Sequence, residues 1–326
     1  MGVFVFASID AGSHAVRLLL ARVGPDGRLV RLRYERTATR LAEGFLSLSG
    51  AGKKSLLAPN MERTLETLKK YSEIISSWNG LSGMRAVGTS ALREAANGQE
   101  FIRRVFEHTG IRLEAITHEE EARLSALGVT GGLGLEGNKN KKGKKNKNFI
   151  LDIGGGSTEW MLTEGRSLVR SGSFPVGVVK LAGLMEREGE TVLEKHIVSF
   201  VSGLRQAVSF LPAGTVFIVT GGTASAIAAI DLGLTSYEHE KVHGRQMDRK
   251  TLERMYLRLA ALSLDQRGKV VAGLEPDRAD LIIPGLGLTI NIMREFGFQN
   301  VISNDTGLPE GIIFDLYNRS AQGGGR

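Results

Sequence analysis

The sequence predicts an α/β protein of two similar lobes, each a mixed sheet flanked by helices, with a cleft between the lobes. Two observations carry this prediction. An apolar strand that holds an aspartate and runs into a small-residue turn occurs twice, at Asp10-Ala11-Gly12-Ser13 and at Asp152-Ile153-Gly154-Gly155-Gly156-Ser157. Each copy also belongs to three successive strands that precede helices, so the order βββαβα is expected in both halves.

The composition is that of a globular protein with a sizeable core. The 326 residues are 42% hydrophobic and 24% charged, and this length favours two domains. The absence of cysteine excludes disulfides and thiolate metal sites. Six of the seven net positive charges come from lysines between 139 and 147, which leaves +1 elsewhere and argues against a broad nucleic-acid surface.

That lysine-rich segment has two interpretations, a solvated loop between the lobes or a collector of polyanions. The N-terminus lacks a basic region and reaches Asp10 too early for a signal peptide. No apolar stretch approaches eighteen residues, so no membrane span is expected. We therefore expect a cytoplasmic protein.

The elements of the first lobe follow from alternation, helical spacing and turn residues. Strands are predicted near 3–9, 15–23, 29–34, 84–88 and 112–116, and helices near 60–78, 91–97 and 101–108. A further helix opens at Thr117, which has capping-box spacing to Glu120, and is expected to end near Gly128. Residues 1–128 form the predicted first lobe.

The second lobe is predicted to span residues 129–306, and a helix at 307–320 is predicted to pack back on the first lobe. Its expected strands lie near 149–153, 160–162, 167–173, 216–220 and 301–303, with helices near 178–188, 192–210, 224–232 and 251–262. Pro284 is expected to interrupt a further helix before Phe296, and the last helix to end near Tyr317.

The second turn has the composition of a site for a metal-bound phosphate. Three glycines let backbone N–H groups approach an anion closely. Ser157 and Thr158 add hydroxyl groups, while Asp152 and Glu159 supply carboxylates on either side. A glycine triplet alone is more often a simple turn, and the flanking acids make the pattern more specific.

The order of these motifs resembles the exopolyphosphatase/guanosine pentaphosphate phosphohydrolase (Ppx/GppA) family, in its short two-domain form, of the actin/hexokinase/heat-shock ATPase superfamily. The resemblance runs along nearly the whole chain. Its motifs are the two aspartate turns, Gly88 to Asn97, Glu120-Glu121-Ala122-Arg123, Gly221-Gly222-Thr223, Lys241 to Gly244, Arg278-Ala279-Asp280, Pro284-Gly285 and Ser303 to Gly311. The resemblance implies two ribonuclease H-like lobes.

The same resemblance implies hydrolysis of the terminal phosphoanhydride of inorganic polyphosphate, with release of orthophosphate. Guanosine pentaphosphate is the alternative substrate, and a non-hydrolytic sensor of an alarmone or nucleotide is a third possibility. The implied partners are polyphosphate or a guanosine polyphosphate, with no membrane and no specific nucleic acid. A homodimer is left open.

The resemblance also implies roles for individual residues. Glu121 would orient the attacking water, Arg93 would bind phosphate, and Mg²⁺ or another divalent cation would be held by Asp152 and Glu159. The expected phosphate-binding set is Gly12, Ser13, Gly154, Gly155, Gly156, Ser157 and Thr158. Two residues remain open, because Asp10 and Gly222 could equally serve only to shape their turns. His14 stands where the family usually has asparagine.

Overall fold

The computed structural model describes residues 4–44, 54–134 and 146–323, with side chains as far as residue 321. The chain forms two compact units, Met1–Gly132 with Gly307–Arg326, and Leu133–Thr306. Most of the lysine-rich segment lies outside the described residues, so neither interpretation of it is tested. None of the helices within the described ranges has the length and apolar character needed to cross a membrane.

The first unit is built on a five-stranded mixed sheet with the order β3-β2-β1-β4-β5. Its elements are β1 (Phe4–Ala11), β2 (Ala15–Val23), β3 (Leu29–Ala38), α1 (Ala58–Ser76), β4 (Gly83–Gly88), α2 (Ser90–Glu94), α3 (Gly98–Thr109), β5 (Leu113–Ala115) and α4 (His118–Gly132). β1 pairs antiparallel with β2 and parallel with β4. Every side chain of β1 from Phe6 to Ala11 is buried, as expected for a central strand.

The second unit repeats this sheet and adds an edge strand, in the order β10-β11-β9-β6-β7-β8. Its elements are β6 (Lys147–Ile153), β7 (Thr158–Glu164), β8 (Ser167–Phe174), α5 (Val178–Glu188), α6 (Glu190–Val208), β9 (Val216–Thr220), α7 (Gly222–Leu232), α8 (His239–Val242), β10 (Gln246–Asp248), α9 (Arg249–Ala260), α10 (Leu264–Val270), a short 3-10 helix (Pro276–Arg278), α11 (Ile282–Glu295) and β11 (Asn300–Asn304). The predicted α/β class and the mixed sheets flanked by helices are confirmed.

The last helix, α12 (Leu308–Gly323), belongs to the first unit and packs against α4. A Cβ atom at Gly128 would lie 1.9 Å from the Gly307 carbonyl oxygen, and one at Gly311 would lie 1.9 Å from the Leu124 carbonyl oxygen. The predicted exit of α4 at Gly128 is therefore wrong, because this glycine lets two helix backbones meet and the helix continues to Gly132.

Two other predictions about helices are corrected by the structure. Pro284 does not interrupt a helix, because it lies in the first turn of α11, where the missing N–H has no helical acceptor to lose. The last helix runs beyond Tyr317 to Gly323. The short elements α8, β10 and α10 were not predicted, since each is too brief to show periodicity.

Candidate active site

The first aspartate turn comprises residues 12–15, between β1 and β2. The Gly12 N–H donates to the Ala15 carbonyl oxygen at 3.0 Å and closes the turn. Asp10 lies opposite Arg17 in the strand register, and Arg17 Nη1 donates to Asp10 Oδ2 at 2.8 Å. Only 2% of Asp10 is exposed, so this buried carboxylate has a cationic partner within its own hairpin.

The segment that follows β3 holds the carbonyl groups of this first turn. The Ala42 N–H donates to the Ser13 carbonyl oxygen at 2.9 Å, and the Arg40 N–H donates to the His14 carbonyl oxygen at 2.8 Å. Because these carbonyl groups are bound by N–H groups of the protein, the turn is suited to offering its own N–H groups to an anion.

The second aspartate turn comprises residues 154–157, between β6 and β7, and repeats the geometry of the first. The Gly154 N–H donates to the Ser157 carbonyl oxygen at 3.0 Å, and both turns place four residues between the last strand pairs. By this register Gly12 corresponds to Gly154, and Ala15 corresponds to Ser157. The duplication inferred from the sequence therefore extends to the hydrogen bond that closes each turn.

The N-terminus of α5 binds the carbonyl groups of the second turn. The Val178 N–H donates to Gly154 O and the Val179 N–H to Gly155 O, both at 3.0 Å. Gly177 allows this approach, because a Cβ there would lie 2.4 Å from the carbonyl carbon and oxygen of Gly155. Within the described ranges, no protein acceptor is found for the N–H groups of Gly155 and Gly156.

Asp152 and Glu159 occupy directly opposite positions of β6 and β7. Opposed residues of an antiparallel pair project from the same face, where two like charges repel unless a cation or hydrogen bonds offset them. Glu159 is 1% exposed, and the Ser173 hydroxyl donates to its Oε1 at 2.8 Å. Two carboxylates and a hydroxyl are hard oxygen ligands, so this group fits a divalent cation such as Mg²⁺.

The turn between β9 and α7 adjoins Asp152. Gly221 has φ +90°, and a Cβ there would lie 3.0 Å from Asp152 Oδ1, so conformation and space both favour glycine. Arg278 Nη1 donates to the Gly222 carbonyl oxygen. This contact constrains the backbone of the turn.

Glu121 lies in the first turn of α4 and is buried. Arg93 Nη1 donates to Glu121 Oε2 at 2.9 Å and to the Ile116 carbonyl oxygen at 2.7 Å. Arg93 Nη2 lies 2.8 Å from His118 Nδ1, and burial together with the Arg93 charge lowers the pKa of His118. Arg93 therefore holds the Glu121 carboxylate in place.

Glu120 has a different environment, although it precedes Glu121 directly. Its N–H donates to the Thr117 hydroxyl at 3.2 Å, which is half of the predicted capping box. Its carboxylate accepts from Arg123 Nε at 2.7 Å and from Arg85 Nη1 at 2.8 Å, so the reciprocal cap is replaced by ion pairs. The pKa of Glu120 is lowered to about 2, mainly by the hydrogen bond from Arg123.

The predicted residues fall into two groups. The first unit holds Asp10, Gly12, Ser13, Arg93 and Glu121; the second holds Asp152, Gly154, Gly155, Gly156, Ser157, Thr158, Glu159 and Gly222. Thr158 Oγ1 donates to the Val176 carbonyl oxygen at 2.6 Å, a contact within the protein.

Sequence reasoning gave no site role to Arg17, His118 or Ser173. Arg17 and Ser173 could have been found by aligning the strands of the two halves in register, because each neighbours a turn aspartate or its opposing acid. His118 carried no such signal.

Comparison with known proteins decides the family. The family model described as the Ppx/GppA phosphatase family matches residues 21–320. The chain belongs to the Ppx/GppA phosphatase family. The resemblance drawn from the sequence motifs is therefore confirmed, and the short elements missed by periodicity lie within the match.

Two proteins of similar sequence have names that state an activity. A bifunctional 3-dehydroquinate synthase/phosphatase of Fusobacterium nucleatum is 26% identical over 96% of this chain, which spans 46% of that protein's length. Exopolyphosphatase 2 of Mycobacterium tuberculosis is 28% identical over 95% of this chain and 98% of its own. The chain thus spans about half the length of the first relative and nearly all of the second.

Solved structures agree with the fold. The Aquifex aeolicus Ppx/GppA family member is 26% identical, with a TM-score of 0.79 over 98% of this chain and 99% of its own. An exopolyphosphatase from Cytophaga hutchinsonii, 23% identical over 97% of this chain and 98% of its own, has a TM-score of 0.83 and supports the fold alone.

Proposed function

We propose that this Ppx/GppA protein hydrolyses the terminal phosphoanhydride bond of inorganic polyphosphate and releases orthophosphate. The observation that carries the proposal is the repeated hairpin turn, whose carbonyl groups are bound by the protein's own N–H donors in both units. Such turns are suited to binding phosphate oxygens through their N–H groups. A polyphosphate chain presents anionic oxygens along its whole length, and these are the acceptors that such N–H groups bind.

Glu121 is the proposed general base. Its carboxylate accepts a proton from a water molecule while the water oxygen attacks the terminal phosphorus. The bond from that phosphorus to the bridging oxygen breaks, which yields orthophosphate and a chain shorter by one phosphate. Arg93 would keep Glu121 oriented, and it is also a donor for the phosphate charge that develops during transfer.

Asp152 and Glu159 are the proposed residues for Mg²⁺. When bound, the cation would offset the negative charge of the phosphate oxygens. The residues themselves supply the oxygen ligands, and Ser173 fixes Glu159 through its hydroxyl. Gly221 leaves room for the Asp152 carboxylate beside the turn that precedes α7.

The test is orthophosphate release from long-chain polyphosphate with Mg²⁺. Glu121→Gln removes the base but keeps the volume of the side chain, so we expect a loss of about 10²–10⁴-fold in kcat. Glu119→Gln is the matched control, because Glu119 is an exposed acid of the same helical turn. No release by the wild type, or equal release by both variants, would contradict the proposed function.

Guanosine pentaphosphate is the substrate to compare with polyphosphate, because the same phosphoanhydride chemistry applies to both. The exopolyphosphatase relative covered over 98% of its length favours polyphosphate. The comparison is kcat/KM for each substrate, measured with both present in one reaction. A higher value for guanosine pentaphosphate would replace the substrate but keep the mechanism, whereas tight binding without turnover of either would indicate a sensor.

A further inference from the structure

The segment that follows β11 binds the end of β9 next to Asp152. Thr220, the last residue of β9, lies opposite Asp152 in the parallel pairing of β6 with β9. Its hydroxyl donates to the Thr306 carbonyl oxygen at 2.6 Å, and Asn304 Nδ2 donates to the same hydroxyl at 3.2 Å. Thr220, Asn304 and Thr306 are all buried. Asp305, which lies between the last two, is therefore held close to the turn that follows β9.

Asp305 is connected to that turn through Ser225. Ser225 Oγ donates to Asp305 Oδ1 at 2.6 Å, a short charge-assisted bond at a side chain that is 5% exposed. The Ser225 N–H donates to the Gly221 carbonyl oxygen at 3.3 Å, and the hydroxyl lies 3.3 Å from the same oxygen. Gly221 borders the Asp152 carboxylate, so a displacement of Asp305 reaches the backbone beside Asp152.

Two histidines at α8 also bind Asp305. His239 Nδ1 lies 2.6 Å from Asp305 Oδ2, and the Asp305 N–H donates to His243 Nδ1 at 3.3 Å. The two imidazole rings are stacked, with their centroids 5.2 Å apart. His243 belongs to the motif from Lys241 to Gly244, for which the proposed mechanism has no role.

The two contacts require opposite protonation of the same ring atom. Because a carboxylate only accepts, His239 Nδ1 must carry a proton to bind Asp305. Because the Asp305 N–H only donates, His243 Nδ1 must be unprotonated, with the ring proton on Nε2. Protonation of His243 turns this acceptor into a second donor that faces the N–H. Imidazole is the side chain that changes charge between about pH 5 and 8, so acid pH opposes this contact.

The charges near the two rings meet at Asp305, which contacts both of them. The other charged groups on and around α7 and α8 are paired or exposed: Asp231 with Arg245 at 2.8 Å, Glu238 with Lys241 at 2.9 Å, Arg278 with Glu275 at 2.6 Å, and the exposed Glu240. A proton gained by the histidine pair therefore acts on the turn through Asp305.

We propose that Asp305 is a positioning residue for the cation site, held by the neutral form of His243, and that protonation of His243 loosens the turn beside Asp152. The role in cation binding rests on the proposed function, whereas the contact of His243 with Asp305 can be tested without it. Acid pH should weaken the hydrogen bond from Ser225 to Gly221 and raise the need for Mg²⁺.

The first experiment uses neither cation nor substrate. Amide hydrogen exchange of Ser225, followed by NMR on the full chain in magnesium-free buffer near pH 8, reports its bond to Gly221 O. His243→Leu removes the acceptor and should lower the protection factor at least tenfold. His243→Asn keeps an oxygen acceptor at the position of Nδ1 and should retain the protection. His196→Leu is the control, since this exposed histidine of α6 contacts Val192 O of its own helix.

Two results would overturn the proposal. Unchanged protection of Ser225 in His243→Leu, with a folded protein by circular dichroism, would show that the contact does not hold the turn. Equal loss in His243→Leu and His243→Asn would give the ring a packing role only.

The second experiment tests the proton. At about pH 5 the protection factor of Ser225 should fall at least threefold in the wild type and stay constant in His243→Asn, which cannot gain a proton there. The Mg²⁺ concentration for half-maximal phosphate release should follow the same pattern. Parallel changes in both proteins would refute the role of His243 protonation. Absence of phosphate release by the wild type would contradict the proposed function instead, and hydrogen exchange would still decide this inference.

Discussion

The two aspartate hairpins have the same backbone hydrogen bond across the turn, but their aspartates face side chains of opposite charge. Asp10 faces Arg17 across β1 and β2, whereas Asp152 faces Glu159 at the corresponding position of β6 and β7. The first carboxylate is therefore neutralised by a side chain of its own hairpin, while the second shares a face with another acid. The residue opposite the repeated aspartate therefore decides whether the hairpin forms a structural ion pair or a candidate cation site.

Among the tests of this comparison, the largest effect is expected at the acid that distinguishes the second hairpin. Glu159→Gln should raise the Mg²⁺ concentration needed for half-maximal phosphate release by about 10–100-fold, because it removes a charged oxygen ligand. A magnesium titration of the activity measures this change. Arg17→Gln, the change at the corresponding position of the first hairpin, should leave the magnesium requirement as it is. An equal shift in both variants would break the comparison.

The next effect tests how the second turn is held. Gly177→Ala should displace the peptide of Gly155, since the new Cβ would overlap the carbonyl group, with a cost of about 1–3 kcal/mol in unfolding free energy. Urea denaturation and phosphate-release kinetics should both show the change. Gly183→Ala, within α5 itself, is the control, because its Cβ would meet only the flexible end of Arg187 at 3.2 Å. Equal stability of the two variants would show that the α5 contact does not constrain the turn.

A smaller effect is expected at the first hairpin, where the change is in the free energy of unfolding. Asp10→Asn leaves the partly exposed Arg17 without its anionic partner, which should cost about 1–2 kcal/mol of unfolding free energy. The corresponding Asp152→Asn should remove repulsion with Glu159 and so leave stability equal or higher in magnesium-free buffer. Urea denaturation of both proteins is the measurement, and the reverse order would contradict the assignment of the ion pair.

The smallest effect concerns pH and the acid that neighbours Glu121. The pKa of Glu120 is lowered from 4.5 to about 2, so its ion pairs contribute to stability above about pH 4.5, and this contribution is lost as pH falls toward 2. Wild type should thus exceed Glu120→Gln in stability near neutral pH, and the difference should vanish below pH 2. A difference that persists well below pH 2 would mean that Glu120 acts through packing.

Much of the candidate site could be predicted from the sequence because its residues are close together along the chain. Each turn brings its aspartate, glycines and hydroxyls together within ten residues, and short spacing fixes their proximity in any hairpin. The capping box was only half correct, because Thr117 and Glu120 are local, whereas Arg85 is supplied by β4 and outcompetes the backbone for the Glu120 carboxylate. Charge-assisted contacts of this kind cannot be read from local spacing.

The sequence by itself determined the duplicated α/β architecture, the family and the identity of the residues that hold the proposed chemistry, because periodicity and turn chemistry are local properties. Only the tertiary structure decided which charges face each other and how closely backbones meet. Strand register sets Arg17 against Asp10 and Glu159 against Asp152. Gly128 was predicted to end its helix, but it is a packing site between α4 and α12. The 182 residues of chain between Gly128 and Gly311 mean that only the folded molecule brings them together.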